Sequence, residues 1–228
     1  MVALNISPRM LFPEITALCD PEPHAAAVNM AIDEMLLRDA TGPLLRVYRW
    51  AQPSVSFGYF GDVNAVAARW PGRELVRRWT GGGEVLHGDD CTYTLIIPRP
   101  GPLTLLRADD SYRAIHECLA RFLRDAEMIE TAPLGAGPAC FESPVRFDVV
   151  ACGRKVAGAA QRRTGRGLLH QGSILGLAEE DATAARLGQM FATVVRPRSL
   201  SGAELQAGLE LAAEKYATDA WLRRFPRR

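Results

Sequence analysis

Lysine is scarce in this sequence of 228 residues. Of the 27 basic residues only Lys155 and Lys215 are lysines, and the remainder are arginines. Because 26 acidic residues oppose them, the formal net charge is +1. This balance argues against a dedicated nucleic-acid-binding protein, which usually carries a strong basic excess. The composition, 48% hydrophobic and 23% charged, is typical of an ordinary globular protein and not of a disordered one.

Long apolar runs are also absent. No stretch approaches the ~20 consecutive apolar residues that a membrane-spanning helix needs, so we expect no membrane association. The N-terminal segment lacks the basic start and clean apolar stretch of a secretory signal peptide. The sequence therefore predicts a cytoplasmic protein.

The cysteines form no metal-binding or dithiol pattern. They are odd in number, widely spaced and without a CxxC pair, so zinc and redox sites are not expected and we predict no metal site. In a reducing cytosol each is a free thiol, either buried filler or a nucleophile. The five are Cys19, Cys91, Cys118, Cys140 and Cys152.

Helix signals occur in four parts of the chain. Apolar residues at i, i+3 and i+4 spacing predict an amphipathic helix within residues 24–38. Asp62 is placed to cap a short helix, and Ser201 with Glu204 forms a capping-box pattern near the C-terminus, which we expect to be helical. Residues 109–111 offer capping groups for another helix, whose apolar face extends to Ala126.

Strand signals come in clusters and do not alternate strictly with helices. They cover residues 44–50, 54–60, 74–80, 91–98, 147–150, 155–157 and 168–175. Gly153 is suited to a tight turn between two of these strands. We therefore predict one α/β (α+β) domain over residues 1–228, with a mixed, largely antiparallel sheet flanked by helices.

Two segments have residue types suited to holding a ligand. Arg77 and Arg78 precede three successive glycines, residues 81–83, whose bare backbone offers amides to a carbonyl or phosphate, while the arginines suit an anion. A flexible turn between solvated charges is the alternative. Lys155 lies among small residues that leave room for a ligand and can polarise an acyl carbonyl. A single lysine is more commonly exposed to solvent, and this is the alternative for Lys155 and the expectation for Lys215.

Two further side chains are candidates for chemistry. Cys140 lies in a loop rich in Gly, Pro and Ala, where a thiolate can attack a thioester, although an inert loop cysteine is also consistent with the spacing. His87 follows the glycines and has a better claim to line a pocket than His170, which lies within a strand.

Together these segments resemble the lipoyl/octanoyl transferase and lipoate–protein ligase family, part of the biotin/lipoate ligase superfamily. One motif alone is weak, but several in this order with sensible spacing are specific. The matching segments are residues 30–37 (MAIDEMLL), 46–60 (RVYRWAQPSVSFGYF), 77–87 (RRWTGGGEVLH), 140–144 (CFESP), 153–163 (GRKVAGAAQRR) and 168–175 (LLHQGSIL).

The resemblance implies a biotin/lipoyl ligase-like catalytic domain in which Lys155 contacts the acyl carbonyl. The segment around Cys140 is similar to that of the LipM and LipL octanoyltransferases, which use this cysteine as an acyl-thioester nucleophile. Few residues follow the last motif, so no accessory C-terminal domain is expected. The implied substrate-binding residues are Arg77, Arg78, Thr80, Gly81, Gly82, Gly83, His87 and Gly158, with Tyr59 and Trp79 as candidates for lining an acyl tunnel.

The implied reaction moves an octanoyl or lipoyl group from an acyl carrier protein, through Cys140, to a lysine of a lipoyl domain or the glycine-cleavage H protein. No cofactor is needed and a monomer is expected. Two alternatives stay open: an ATP- and Mg²⁺-dependent lipoate–protein ligase that forms a lipoyl-adenylate, and a non-catalytic acyl-binding protein of the same fold.

Overall fold

The predicted mixed α/β architecture is confirmed by the structure, a computed structural model that describes residues 10–131, 144–177 and 183–224. The strands are β1 (Phe12–His24), β2 (Leu44–Trp50), β3 (Ser54–Phe57), β4 (Glu74–Arg77), β5 (Val85–His87), β6 (Asp90–Pro98), β7 (Ala126–Met128), β8 (Val149–Ala151), β9 (Arg154–Arg163), β10 (Gly167–Leu175) and β11 (Ala192–Ser199). The helices are α1 (Ala26–Asp39), α2 (Val63–Arg69), α3 (Ala108–Phe122), α4 (Thr183–Phe191), α5 (Gly202–Leu211) and α6 (Asp219–Leu222).

The strands form a large and a small sheet. The large sheet has eight strands in the order β11-β1-β2-β6-β10-β9-β8-β7. In it β1 runs parallel to both of its neighbours, and every other pair is antiparallel. The small sheet has the order β4-β3-β5, with β3 parallel to β4 and antiparallel to β5.

The central strands bury both of their faces. Leu95 and Ile96, neighbours on β6, enter different apolar cores, as expected because successive side chains of a strand point to opposite faces. Ile115 of α3 and Leu187 of α4 belong to the first core, and Ile32 of α1 belongs to the second. Helices therefore cover the sheet on both sides, which explains why this strand is apolar along its whole length.

The locally encoded features of the sequence are confirmed. Asp62 caps α2 by accepting a hydrogen bond from the amide of Asn64 at 2.9 Å, and Ser201 and Glu204 form the expected capping box of α5. Cys152 and Gly153 both adopt positive φ in the turn between β8 and β9. Positive φ at both central residues is what a two-residue hairpin turn requires.

Three predictions about elements are wrong. Ala126 does not extend the face of α3 but begins β7. The predicted cap at residues 109–111 is also misplaced: the N-cap of α3 is Arg107, and Asp109 and Asp110 lie in the first turn, where they favour the helix dipole. The C-terminal part contains a strand, β11, as well as helices, because pairing with β1 compensates for weak local strand signals.

The side chain of Arg46 is fully buried between two carboxylates. Its guanidinium group lies 2.7 Å from Asp20 of β1 and 2.8 Å from Asp33 of α1, and it also donates to the side-chain oxygen of Asn29 at 2.8 Å. Thr94 donates a hydrogen bond to the second oxygen of Asp33. This network joins α1 to three strands of the large sheet.

The two lysines are both engaged in ion pairs. Lys155 pairs with Asp148 in the interior. Lys215 lies in a π-helical segment, Ala212–Tyr216, where it pairs with Glu34 of α1 and its ammonium lies 4.3 Å from the ring centre of Trp221. The expectation of a solvated Lys215 is therefore wrong, since its side chain is 22% exposed. None of the helices in the described part of the chain is long and apolar enough to cross a bilayer.

We predict that Asp33→Ala strongly destabilises the fold, because it leaves the buried Arg46 guanidinium without one of its two counter-charges. Breaking a buried ion pair on one side typically costs about 3–5 kcal/mol. Urea unfolding followed by circular dichroism measures the effect. Asp39→Ala, which removes an exposed partner of Arg38 from the same helix, is the control and should change the free energy of unfolding by less than about 1 kcal/mol. Equal losses in the two variants would contradict the prediction.

Candidate active site

A mostly apolar cavity lies between the small sheet and the large one. The space between its walls, counted together with the open solvent at its mouth, is about 410 Å³. Apolar side chains supply most of the wall, while a few polar groups from different strands converge on it. The lining residues are Met30, Tyr48, Trp50, Ser56, Arg78, Gly82, Val85, His87, Thr92, Gly158, Ala159, Ala160, Gln171, Gly172 and Ser173.

The glycine segment forms one side of the cavity, and its backbone packs directly against the backbone at Gly58. A Cβ atom on Gly58 would lie 2.0 Å from the carbonyl oxygen of Gly82. Gly82 itself has a φ of +86°, a conformation that favours glycine. No described residue accepts a hydrogen bond from the amides of Gly81, Gly82 or Gly83, so these donors are available to a ligand.

The two arginines before the glycines have different surroundings. Arg77 is fully buried, and its guanidinium group donates to four main-chain carbonyls, those of Tyr59, Gly61, Trp221 and Leu222. It therefore holds α6 against the small sheet and does not line the cavity, in contrast to the predicted anion contact.

Arg78 lines the cavity and shapes the glycine segment. Its guanidinium group donates to the carbonyls of Gly81 and Gly83 at 2.9 and 2.8 Å, and to the hydroxyl of Ser56 at 2.8 Å. Because its donors are directed at protein oxygens, an anionic ligand would have to displace existing hydrogen bonds.

Thr80 connects the glycine segment to the buried Arg46 network. Its hydroxyl donates to the side chain of Gln171 at 2.8 Å, and the Gln171 amide donates in turn to Asp33 at 2.8 Å. Thr80 is fully buried. Its side chain therefore positions the backbone of the segment and is not exposed to the cavity.

Lys155 lies directly behind Gly158 at the wall of the cavity. Its ammonium is 2.7 Å from Asp148, and its side chain is only 1% exposed. Asp148 also accepts hydrogen bonds from the hydroxyl of Tyr112 and the amide of Val145, both at 2.7 Å. A Cβ atom on Gly158 would lie 2.6 Å from Lys155 Nζ, so the absence of a side chain there gives the ammonium its place.

His87 is held by hydrogen bonds at both ring nitrogens. Nδ1 is 2.9 Å from Asp90, and Nε2 is 2.7 Å from the hydroxyl of Ser56. The ring is stacked on Trp50, with ring centres 3.9 Å apart. Burial raises the pKa of Asp90, but the adjacent His87 and the hydrogen bonds from His87, Ser173 and the Gly88 amide outweigh burial and hold that pKa below its usual value.

The remaining histidines near the cavity are buried behind it. His170 bonds to Tyr93 and Gln161, and burial lowers its pKa to about 3. His116 is fully buried and its pKa is also lowered by burial and by His170. Both imidazoles are therefore neutral at physiological pH. Among the described residues no cluster of three His, Cys, Asp or Glu side chains is arranged for a metal ion.

Tyr59 and Trp79, the predicted candidates for an acyl tunnel, are not among the residues that line the cavity. The guanidinium group of Arg162 lies 5.3 and 5.1 Å from their ring centres. Cys140 lies outside the described residues. Of the four cysteines that are described, Cys152 is exposed, and burial raises the pKa of the Cys118 thiol.

Sequence reasoning missed Asp148, Asp90 and Ser56, which hold the Lys155 and His87 side chains. Asp90 lies three residues after His87, a spacing that could have drawn attention to it. Ser56 and Asp148 meet their partners only through strand pairing: Ser54–Phe57 pairs with Val85–His87, and Val149–Ala151 pairs with Arg154–Arg163.

Residues 25–197 match the family of lipoyl protein ligase A/B catalytic domains. The chain is 37% identical to the octanoyltransferase LipM of Moorella thermoacetica over an alignment of 199 residues, and the match covers 80% of this chain and 72% of that protein. It is also 37% identical to the octanoyltransferase LipM of Kyrpidia tusciae over an alignment of 172 residues, and this match covers 66% of this chain and 62% of that protein. The chain thus spans less than two thirds of the second relative.

Solved structures share the fold at lower sequence identity. One is a lipoate-protein ligase A crystallised with ATP, with a TM-score of 0.74 and 21% identity, covering 93% of this chain and 98% of that chain. Another is the bi-partite lipoate protein ligase of Thermoplasma acidophilum, studied with its E2 lipoyl domain, with a TM-score of 0.64 and 21% identity, covering 96% and 98%.

We predict strong coupling between Lys155 and Asp148 in stability. Asp148→Asn leaves a buried ammonium without its counter-charge and should lower the free energy of unfolding by about 3–5 kcal/mol. The double variant Asp148→Asn/Lys155→Met removes the charge as well and should recover much of that loss. Chemical denaturation of both single variants and the double variant measures the coupling. Strictly additive losses would show that the ion pair has no such role.

Proposed function

Since the chain belongs to the family of lipoyl protein ligase A/B catalytic domains, we propose that it is an octanoyltransferase acting in protein lipoylation. The proposal is supported by the 37% identity to LipM octanoyltransferases. The observation that carries it in the structure is the position of Lys155. Its ammonium lies behind Gly158 at an apolar cavity that Gly82 of the glycine segment also lines.

The cavity suits an unbranched acyl chain with a polar head. Met30, Tyr48, Trp50 and Val85 supply apolar wall, and burial of each methylene contributes about 0.8 kcal/mol. Hydrogen-bond donors lie at the glycine segment. In this proposal the octanoyl carbonyl lies beside Gly158 and residues 81–83, and the acyl chain extends along the apolar side of the cavity.

Cys140 is the proposed nucleophile. Its thiolate attacks the thioester of the donor, the donor thiol leaves, and the acyl group is held as a thioester on Cys140. Support for this step comes from the sequence, in which Cys140 lies five residues before Val145. The Val145 amide bonds to Asp148, the partner of Lys155. Five residues of extended chain span at most about 18 Å, so the covalent chain alone sets an upper limit on the distance between this cysteine and Val145.

Lys155 and the glycine amides stabilise the oxyanion of each tetrahedral intermediate. A positioned donor of this kind typically contributes a factor of about 10²–10³ to the rate. The ion pair with Asp148 fixes the ammonium, so little reorganisation is needed when negative charge develops on the carbonyl oxygen. In the second step a lysine amine of the acceptor attacks the thioester and receives the acyl group as an amide.

The proposed donor is an octanoyl–acyl carrier protein, and the proposed acceptor is a lipoyl domain or the glycine-cleavage H protein. The acceptor is supported by the likeness in fold to the Thermoplasma ligase that was studied with an E2 lipoyl domain. The enzyme is proposed to act as a monomer without a cofactor, because a thioester donor is already activated toward an amine.

An ATP-dependent lipoate ligase is the second candidate, since the fold is shared with a ligase that binds ATP. In that reaction Arg77, Arg78 and Lys155 would hold the acyl-adenylate. Both guanidinium groups instead donate to protein oxygens. Phosphate oxygens would have to compete with these hydrogen bonds, which makes the transferase the better-supported function.

We predict that Cys140 is acylated by octanoyl–acyl carrier protein without ATP. Intact-mass spectrometry should show one octanoyl adduct that hydroxylamine removes, and Cys140→Ser should lack the hydroxylamine-sensitive adduct. Cys152→Ser is the matched control, because Cys152 is an exposed cysteine in a turn, and it should be acylated normally. Full ATP-dependent lipoylation by Cys140→Ser would instead establish the ligase reaction, and transfer under neither condition would favour a binding protein.

We predict that Lys155→Arg keeps the fold and loses at least about 100-fold in transfer rate, as expected for removal of one oxyanion donor. The broad, planar guanidinium group does not fit where Gly158 leaves room for a compact ammonium. Lys215→Arg makes the same exchange at the other lysine, outside the cavity, and should transfer at the normal rate. Single-turnover transfer rates and thermal melting check both variants. A Lys155→Arg variant with near-normal turnover would remove Lys155 from the mechanism.

A further inference from the structure

The geometry points to His87 as the general base that accepts the proton from the attacking lysine amine, with Ser56 relaying that proton and Asp90 orienting the ring. This inference rests on the proposed transfer reaction and adds a residue to it. The three side chains form a chain of hydrogen bonds, Ser56 to His87 Nε2 at 2.7 Å and His87 Nδ1 to Asp90 at 2.9 Å. Ser56 and His87 both line the cavity.

The partners of Asp90 fix the tautomer of His87. Besides His87, Asp90 receives hydrogen bonds from the hydroxyls of Thr92 and Ser173 and from the amide of Gly88. An ionised carboxylate only accepts hydrogen bonds, so Nδ1 must carry the hydrogen that lies between the ring and Asp90. In the neutral ring Nε2 then has the free lone pair, and this is the form of the ring that can accept a proton.

Ser56 connects that lone pair to the cavity. When the ring is neutral and Nε2 is the acceptor, the Ser56 hydroxyl donates to Nε2, while the Ser56 oxygen accepts a hydrogen bond from Arg78 at 2.8 Å. The charged groups facing the pair are thus Asp90 on one side and Arg78 on the other. Trp50 stacks on the ring and donates to Thr92 at 2.8 Å, which prevents the imidazole from turning away.

The His87 network is adjacent to the Lys155 ion pair. Ser173, which donates to Asp90, is the direct strand partner of Gly158, behind which the Lys155 ammonium lies. Directly opposed residues in an antiparallel pair have Cβ positions about 4.5–5.5 Å apart. A carbonyl bound beside Gly158 therefore lies between an ammonium that stabilises the oxyanion and an imidazole that accepts a proton.

The other basic groups of this region are less suited to the task. Lys155 is already paired with Asp148, and its charged form is needed for the oxyanion. His170 and His116 are buried behind the cavity wall and do not line it. Of the described side chains that line the cavity, His87 is the imidazole with a lone pair directed at a cavity hydroxyl.

The proton balance of the step is as follows. The acceptor ammonium first releases one proton to solvent, and the neutral amine attacks the thioester carbonyl to form the C–N bond. Ser56 takes the second proton from the nitrogen while giving its own to Nε2 of His87. The C–S bond then breaks, and the imidazolium returns a proton, through Ser56, to the sulfur of Cys140. General-base assistance of this kind typically contributes a factor of about 10²–10⁴.

We predict that His87→Gln separates the two halves of the reaction. Acylation by octanoyl–acyl carrier protein should proceed within about twofold of the normal rate, whereas transfer to a lipoyl domain should fall by at least about 100-fold. Hydroxylamine is neutral at pH 7 and attacks thioesters without a base, so it should discharge the acylated variant at the normal rate. Stopped reactions analysed by intact-mass spectrometry measure all three rates.

Two further variants keep the test decisive. Ser56→Ala removes the relay hydroxyl and leaves His87 in place, so it should show the same selective loss even if His87→Gln folds poorly. Lys215→Arg is the control, because it keeps the charge of a side chain that lies outside the cavity. It should acylate and transfer normally.

The possible failures are distinguishable. Normal transfer by His87→Gln and Ser56→Ala, with an active natural enzyme, would overturn only the role of His87. Loss of acylation and hydroxylamine discharge together with transfer would show a structural role, or a role toward the thiol, and would also overturn it. Failure of the natural enzyme itself to form an octanoyl adduct would overturn the proposed function and this inference with it.

Discussion

The burial of one guanidinium group, that of Arg46, is the constraint on which the arrangement of this molecule depends. A buried charge is tolerated only when counter-charges and hydrogen bonds replace its water. Here Asp20 and Asp33 provide them from a strand and a helix. Asp33 also accepts a hydrogen bond from Gln171, which in turn accepts one from Thr80. The hydrogen-bond network around Arg46 therefore reaches the glycine segment. The wall of the cavity is thereby positioned by an ion pair formed outside it.

Two buried ion or hydrogen-bond clusters border the cavity, and bare backbone separates them. The Lys155 cluster lies behind Gly158, and His87 and Ser56 of the second cluster line the same cavity as Gly82. Polar groups in a water-poor site interact more strongly than in water because screening is weak. The small residues are therefore as much a part of the site as the charged ones, because they set how closely a bound carbonyl approaches each cluster.

Local signals made much of the fold predictable, and long-range pairing accounts for the rest. The sequence correctly indicates the helix caps of Asp62 and Ser201, the tight turn before Arg154 and strand β6, which is buried on both faces. Each of these features depends on residues that are neighbours in the sequence. Strand β1, which contains prolines, is stabilised by β2 and β11 on its two sides. The sequence could identify Arg77 as a special arginine, but not that carbonyls about 145 positions later in the chain occupy its guanidinium group. The proposed chemistry of Cys140 and Lys155 stays a prediction.

The scarcity of lysine, combined with the placement of the two that remain, bears on the fidelity of an enzyme that acylates amines. A reactive thioester on a protein is attacked by any accessible neutral amine, including those of the same chain. Here Lys155 is buried against Asp148 and Lys215 is held by Glu34. An arginine guanidinium group remains protonated and is a poor nucleophile. A surface that uses arginine for its positive charge therefore offers almost no side-chain amine for self-acylation, and the acyl group is kept for an amine that a partner brings.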